Sequence, residues 1–132
     1  MARNEGRRVT CADTSSVVAY IRGEQGSDVE LLDRALADYS LVLAPISVSE
    51  LLSDPLLTPS LEKFILGIQQ LEIKAGYWER AGKLRAELMR RGYRPKIADT
   101  LLAQNCLDSQ VPLITRDRDF SAFRDLAGLR LL

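Results

Sequence analysis

The sequence predicts an α/β fold of three layers, with a mostly parallel central sheet of four to five strands flanked by helices on both faces. Three observations predict it. Short continuous apolar runs, LVLAP at 41–45 and VPLIT at 111–115, read as strands buried on both sides rather than half-exposed ones. Segments with helical periodicity separate them, so strand and helix alternate along the chain. At 132 residues, with 46% hydrophobic and 27% charged, the chain is long enough to bury one ordinary core.

Residues 7–13, RRVTCAD, read as a first strand ending at Asp13, and residues 14–23 as a helix stopped by Gly23. The next helix spans 27–39, with Ser27 as its cap and Val29, Leu32, Leu36 and Tyr39 at helical spacing. The run 41–44, closed by Pro45, is the second strand. A helix begins at 47 and is interrupted by Pro55, and a further helix covers 59–70. Residues 71–73, LEI, are a candidate third strand. The helix at 76–92 is amphipathic: Tyr77, Ala81, Leu84 and Leu88 share a stripe, and Gly92 lies past its end. Pro95 suits the first turn of the helix at 95–110. Residues 111–115 are the fourth strand, 120–126 a short helix, and LRLL at 129–132 a candidate fifth strand. No repeat, linker or low-complexity tract divides the chain. It reads as one domain over 9–132, preceded by a short basic extension over 1–8 that is either an arm contacting a partner or an unstructured start.

Composition narrows the chemistry. There is no histidine, which excludes Ser-His-Asp and Cys-His catalysis and ordinary His-ligated zinc hydrolysis. Acid–base or metal chemistry must then rest on carboxylates, which suit hard cations such as magnesium or manganese. The two cysteines, Cys11 and Cys106, form no CxxC pair and read as buried free thiols. No apolar run approaches the roughly 18 residues that span a bilayer, and MARNEGRRVT lacks a secretory apolar stretch, so a cytoplasmic protein with no membrane association is expected. Net charge is zero, yet 14 of the 18 bases are arginine. Residues 83–96 hold six bases against one acid, which fits either a solvated helix end or a phosphate-binding surface.

In a parallel sheet, strand ends and the starts of the following helices share one edge, where ligands bind. Asp13 ends the first strand. Glu50 lies in the first turn or so after the second strand, and Asp99 near the start of the helix leading to the fourth. Asp117 and Asp119 follow that strand directly. These acids are therefore expected to gather. Carboxylates so placed repel one another, and with no histidine and no nearby lysine at that edge a divalent cation is the simplest compensation. Thr14, Ser15 and Thr115 stand beside the acids and can orient carboxylates or waters. Each residue alone has a plainer reading: Asp13 a helix cap, Glu50 a surface residue, Asp99 a complement to its helix dipole, Asp117 or Asp119 a turn or cap residue.

The ordered stretches CADTSSVVAYI, ISVSELL, KIADTLLAQNCLDSQVPLITRDRDF and LAGLRLL resemble a PIN domain, and within it the VapC-type ribonuclease toxins of toxin–antitoxin pairs. The resemblance runs from about residue 9 to the end. It implies an acidic quartet of Asp13, Glu50, Asp99 and Asp117, with Asp119 a fifth ligand or supporting residue. It further implies a magnesium- or manganese-dependent endoribonuclease that leaves a 5′-phosphate, a homodimer, and a cognate VapB-like antitoxin. Arg116, Arg90, Arg91 and Arg94 then become candidates for holding RNA phosphates or the antitoxin. Asp54, four residues after Glu50, adds a carboxylate on the same expected helix face that the pattern does not require.

Other magnesium-binding α/β folds fit less well. A receiver-like phosphoacceptor needs adjacent acids after the first strand, and Asp13 follows Cys11-Ala12. A dehalogenase-type phosphatase needs Asp-x-Asp there, and Ser15 takes the second position. The remaining alternative is a non-catalytic PIN fold that only binds RNA or a partner.

Overall fold

The structure, a computed structural model, describes residues 8–132; most of the expected N-terminal extension, residues 1–7, lies outside the described residues. Four short strands form one sheet: β1 (Thr10–Ala12), β2 (Leu41–Leu43), β3 (Gln69–Gln70) and β4 (Leu113–Ile114). Their spatial order is β3-β2-β1-β4, and every pairing is parallel. The chain steps outward from β1 to β3, then crosses back so that β4 lies on the other side of β1. That reversal opens a crevice beyond the carboxyl ends of β1 and β4.

Alternation along the strands divides the core in two. Cys11, Val42 and Leu113 face one cluster with Leu88, Leu102, Phe120 and Phe123. Ala12, Leu41, Leu43 and Ile114 face the other, with Val17, Leu32, Leu51 and Ile65. Successive strand side chains point to opposite faces, so apolar residues in sequence are what a sheet between two helical layers requires. Helices α1 (Thr14–Ile21), α2 (Ser27–Ala37), α3 (Pro45–Leu52) and α4 (Pro59–Leu66) contribute to the second cluster; α5 (Tyr77–Arg90), α6 (Ile97–Ser109) and α7 (Ser121–Ala127) contribute to the first. Cys11 and Cys106 are buried free thiols. Among the described residues no helix is long and apolar enough to cross a membrane.

Several boundaries differ from the sequence reading. The third strand is Gln69–Gln70, not 71–73, because α4 ends at Leu66 with Gly67 as its cap and the chain becomes extended sooner. Leu71 still donates its amide to Leu43 O at 2.9 Å. The C-terminal LRLL makes a single parallel bridge, Leu113 to Leu131, rather than a strand. Pro45 opens α3 instead of only closing β2, since proline suits a first helical turn. As α3 ends at Leu52, Pro55 interrupts nothing. Asp54 lies beyond the helix and accepts a turn bond from the Leu56 amide at 2.9 Å, so it does not share a helical face with Glu50.

Candidate active site

β1 delivers Asp13 to the crevice. Its backbone amide still donates to Ile114 O at 2.8 Å, and its carbonyl begins α1. The side chain does not cap that helix. Instead its Oδ2 accepts from Ser15 Oγ at 2.7 Å and from Thr115 Oγ1 at 2.9 Å. Burial pushes the Asp13 carboxyl up, those hydroxyl bonds pull it down, and the charge of Asp117 adds an upward push. Thr115 has two duties, because its Oγ1 also accepts from the Asp117 amide at 3.0 Å. One hydroxyl after β4 thus ties Asp13 to the backbone that carries Asp117. Asp117 in turn accepts from the Asp119 amide at 2.9 Å and starts a 3₁₀ turn at Arg118–Phe120, anchored by the buried Phe120.

Glu50 is exposed, and its Oε1 accepts from Thr14 Oγ1 at 2.9 Å. It is the sixth residue of α3 rather than a first-turn residue, a consequence of the earlier helix start. Asp99 lies in the first turn of α6, half-buried, with its carboxyl pushed up to about 6. Burial is the leading cause, followed by the charges of Asp13 and Asp117, with a smaller push from Glu50. Asp99 therefore feels the other three acids at once, although the four come from four separate segments. Asp119 is exposed and borders a cavity that reaches Asp99.

Lys96 lowers the same Asp99 carboxyl and borders the same cavity. The expectation of no lysine at this edge is thus corrected. Lys96 immediately precedes α6 and lies three residues from Asp99, a spacing visible in the sequence, but Pro95 had drawn the helix start too early. Among the described residues no three acids, thiols or imidazoles stand close enough to ligate one ion together. The acids here are neighbours by charge, not a closed ligand set. The donor chemistry nevertheless fits a hard divalent cation: oxygen ligands only, mutually repelling, around one carboxyl held up to about 6.

The expected arginines behave differently from one another. Arg90 and Arg91 both pair with Glu87, at 2.7 and 3.1 Å. Among the described residues Arg94 donates only to its neighbour's carbonyl, and it borders the Asp99 cavity. Arg116 is turned to internal acids. Its Nε donates to Asp28 Oδ2 at 2.8 Å and Nη2 to Asp28 Oδ1 at 3.1 Å, while Nη1 reaches Glu24 Oε1 at 3.0 Å and Nη2 also reaches Gln25 O at 3.2 Å. Buried Ser16 donates to Asp28 Oδ2 at 2.7 Å, and the guanidinium holds the Asp28 carboxyl below its ordinary value. A β-carbon on Gly26 would stand 2.5 Å from Asp28 Oδ1 and 3.0 Å from Arg116 Nη2, so this latch needs glycine there. Sequence reasoning missed Asp28, because nothing local joins it to a residue 88 positions away.

Residues 10–126 match the family model described as "PIN domain". Among curated proteins none matches the chain in sequence. Solved structures share its fold at low identity. One, from Rickettsia felis, is VapBC2 bound to a promoter DNA fragment: TM-score 0.72, 19% identity, 94% of this chain and 97% of that one. Another is VapBC-5 of Mycobacterium tuberculosis, TM-score 0.64, 20% identity, covering 94% and 97%. A third is DNA-bound VapBC from Salmonella typhimurium, TM-score 0.67, 18% identity, covering 95% and 97%.

Proposed function

This chain belongs to the PIN domain family, and from that premise we propose that it is a metal-dependent endoribonuclease, the toxin of a VapBC-type pair. The observation that carries the reading is the charge environment of Asp99, pushed up to about 6 partly by Asp13, Asp117 and Glu50 at the sheet's switch point. Magnesium or manganese held by Asp13, Asp99, Asp117 and Glu50 would polarise the phosphoryl group and ease ionisation of a water.

The chain's own residues prepare that chemistry. Ser15 and Thr115 fix the Asp13 carboxylate through one oxygen, and Thr14 steadies Glu50. Thr115 and the Asp117 side chain together fix the turn after β4, so the acids are oriented before substrate arrives. Glu50, exposed and bonded through one oxygen to Thr14, is assigned to holding the cation or orienting the attacking water. Water attacks phosphorus in line and the bond to the 3′ oxygen breaks, leaving a 5′-phosphate and a 3′-hydroxyl.

Three of the solved neighbours are VapBC proteins by name, one of them described as a member of the VapBC family of toxin–antitoxin systems, which supports a VapB-like antitoxin as partner. Exposed Leu56, Leu66, Trp78 and Ile97 offer apolar surface that such a partner, or a second copy in a homodimer, would cover. The open arrangement of the acids favours one other reading, a PIN fold that binds RNA or a partner without cutting. Purified chain, freed of bound partner, is to be incubated with total RNA in magnesium, manganese or chelator beside Asp13→Asn and Asp99→Asn. Metal-dependent cutting lost in both variants, with 5′-phosphate ends, is the expected result. Silence in every metal would give the binding-only reading the lead.

A further inference from the structure

Two cavities flank the acids. One, of about 280 Å³, is bounded by Tyr93, Arg94, Lys96, Asp99 and Arg118. The other, of about 480 Å³, lies against Thr115, Arg116, Asp117, Arg118 and Arg124. The first reaches Asp99 and the second reaches Asp117, while Arg118 and Ser121 border both. Asp99 and Asp117, two of the acids proposed to do the chemistry, thus border one cavity each, and the two cavities share Arg118 and Ser121.

The cations around these cavities differ in whether their charge is already met. Arg116 is engaged by Asp28 and Glu24, and Arg124 pairs with Asp125 at 3.0 Å. Among the described residues, no carboxylate lies within ion-pairing distance of Arg94, Lys96 or Arg118. Unmatched cations beside a cluster of unmatched acids make sense for a polyanion that must approach acidic residues: they offset the repulsion its phosphates would meet. Arginine also offers a phosphate a planar fork of donors.

We propose that the two cavities form one track for single-stranded RNA, with Arg118 the phosphate contact shared by both sides and Arg94 and Lys96 contacts on the Asp99 side. This rests on the ribonuclease reading for its substrate class and adds the path and the residues. A single strand fits better than a duplex, because only unpaired bases are free to stack on a side chain. Tyr93, 42% exposed, borders the smaller cavity and offers a ring on which an unpaired base can stack. Arg118 rides on the 3₁₀ turn that Asp117 and buried Phe120 hold in place, so little backbone freedom is lost when it binds.

The test is equilibrium binding of a fluorescently labelled single-stranded RNA, with chelator present to prevent cutting, across a range of salt. Arg118→Ala is expected to weaken binding about tenfold and to flatten the dependence of log affinity on log salt by about 0.7, the value of one single-strand phosphate contact. Arg118→Lys should keep the slope and recover part of the affinity. Arg90→Ala, whose charge Glu87 already meets, should match wild type. Melting curves of each variant check that the fold is kept. Wild-type behaviour of Arg118→Ala, an equal loss in Arg90→Ala, equal binding of duplex RNA, or no RNA binding at all overturns the track. Cleavage is read in parallel: if wild type cuts RNA but Arg118→Ala binds normally, the track falls and the nuclease stands. If Arg118→Ala loses its contact in a chain that never cuts, the reverse holds.

Discussion

Replacing Asp99 by asparagine should stabilise the metal-free protein at pH 8 and leave it unchanged near pH 3.5. The folded carboxyl titrates at about 6 against an ordinary value of 3.8. Such a group favours the folded state fully below about pH 4, and that contribution is lost as pH rises through about 6. Above that, the folded state carries a charge it would be better without. A shift of about two units corresponds to roughly 3 kcal/mol if all of it counted. Asp99 is only half-buried and solvent screens part of the repulsion, so about 1–2 kcal/mol is the fairer figure. For a domain of this size that is a rise of about 5 °C in melting temperature. The assay is thermal unfolding of wild type and Asp99→Asn with chelator at both pH values, then with magnesium or manganese at pH 8. Metal should reverse the order, raising wild type while leaving the variant behind. A rise of equal size at both pH values, or none at pH 8, would refute the idea that these acids share one repulsive environment.

Thr115→Val removes a donor to Asp13 and an acceptor for the Asp117 amide together, and is expected to weaken manganese affinity about tenfold in calorimetry. Gly26→Ala sets a methyl against Asp28 and Arg116, and Asp28→Asn removes the charge that holds the arginine; both should lower hydrogen-exchange protection of the Asp117 amide, with the Tyr77 amide unaffected. Because Arg116 holds the Asp28 carboxyl below its ordinary value, the stability it contributes is present above about pH 4 and lost as pH falls through the lower folded value, so the effect of Asp28→Asn should shrink in acid. Tyr77→Phe deletes the bond to Leu101 O at 2.7 Å in the core between α5 and α6, which should cost about 1–2 kcal/mol in denaturant titration without changing metal affinity.

The architecture was legible because its signals are local. Apolar strands without alternation, Gly23 and Gly92 past helix ends, and the stripe through Tyr77, Ala81, Leu84 and Leu88 each report on a few neighbouring residues. What misled the reading was equally local. Pro45 reads as the close of a strand but opens a helix, which carries Glu50 about half a turn further into α3 than the sequence predicts. Leu71 and Ile73 drew the third strand toward apolar residues, whereas the backbone that pairs with β2 belongs to exposed glutamines at the sheet edge. The acids could be expected at one edge from topology alone, since the rule places strand ends together whatever their side chains.

Which charges are free to act is a different kind of question, because it depends on partners distant in sequence. Arg116 and Arg118 are the same residue type, two positions apart, on either side of Asp117. Read along the chain, nothing local separates them, and the sequence singles out only Arg116 as a phosphate candidate. In the fold, Glu24 from the turn between α1 and α2 and Asp28 from the first turn of α2 arrive beside one of them, and Gly26 leaves room for the approach. Arg116 thereby becomes part of what holds the loop, and its charge is met inside the protein. Among the described residues no carboxylate lies within ion-pairing distance of Arg118. The paired arginine steadies the segment that carries Asp117, and the unpaired one keeps its charge at the place where two cavities meet. A substitution at 116 should therefore disturb the geometry of the acids first and RNA affinity only through them, while one at 118 should act on affinity and its salt dependence directly.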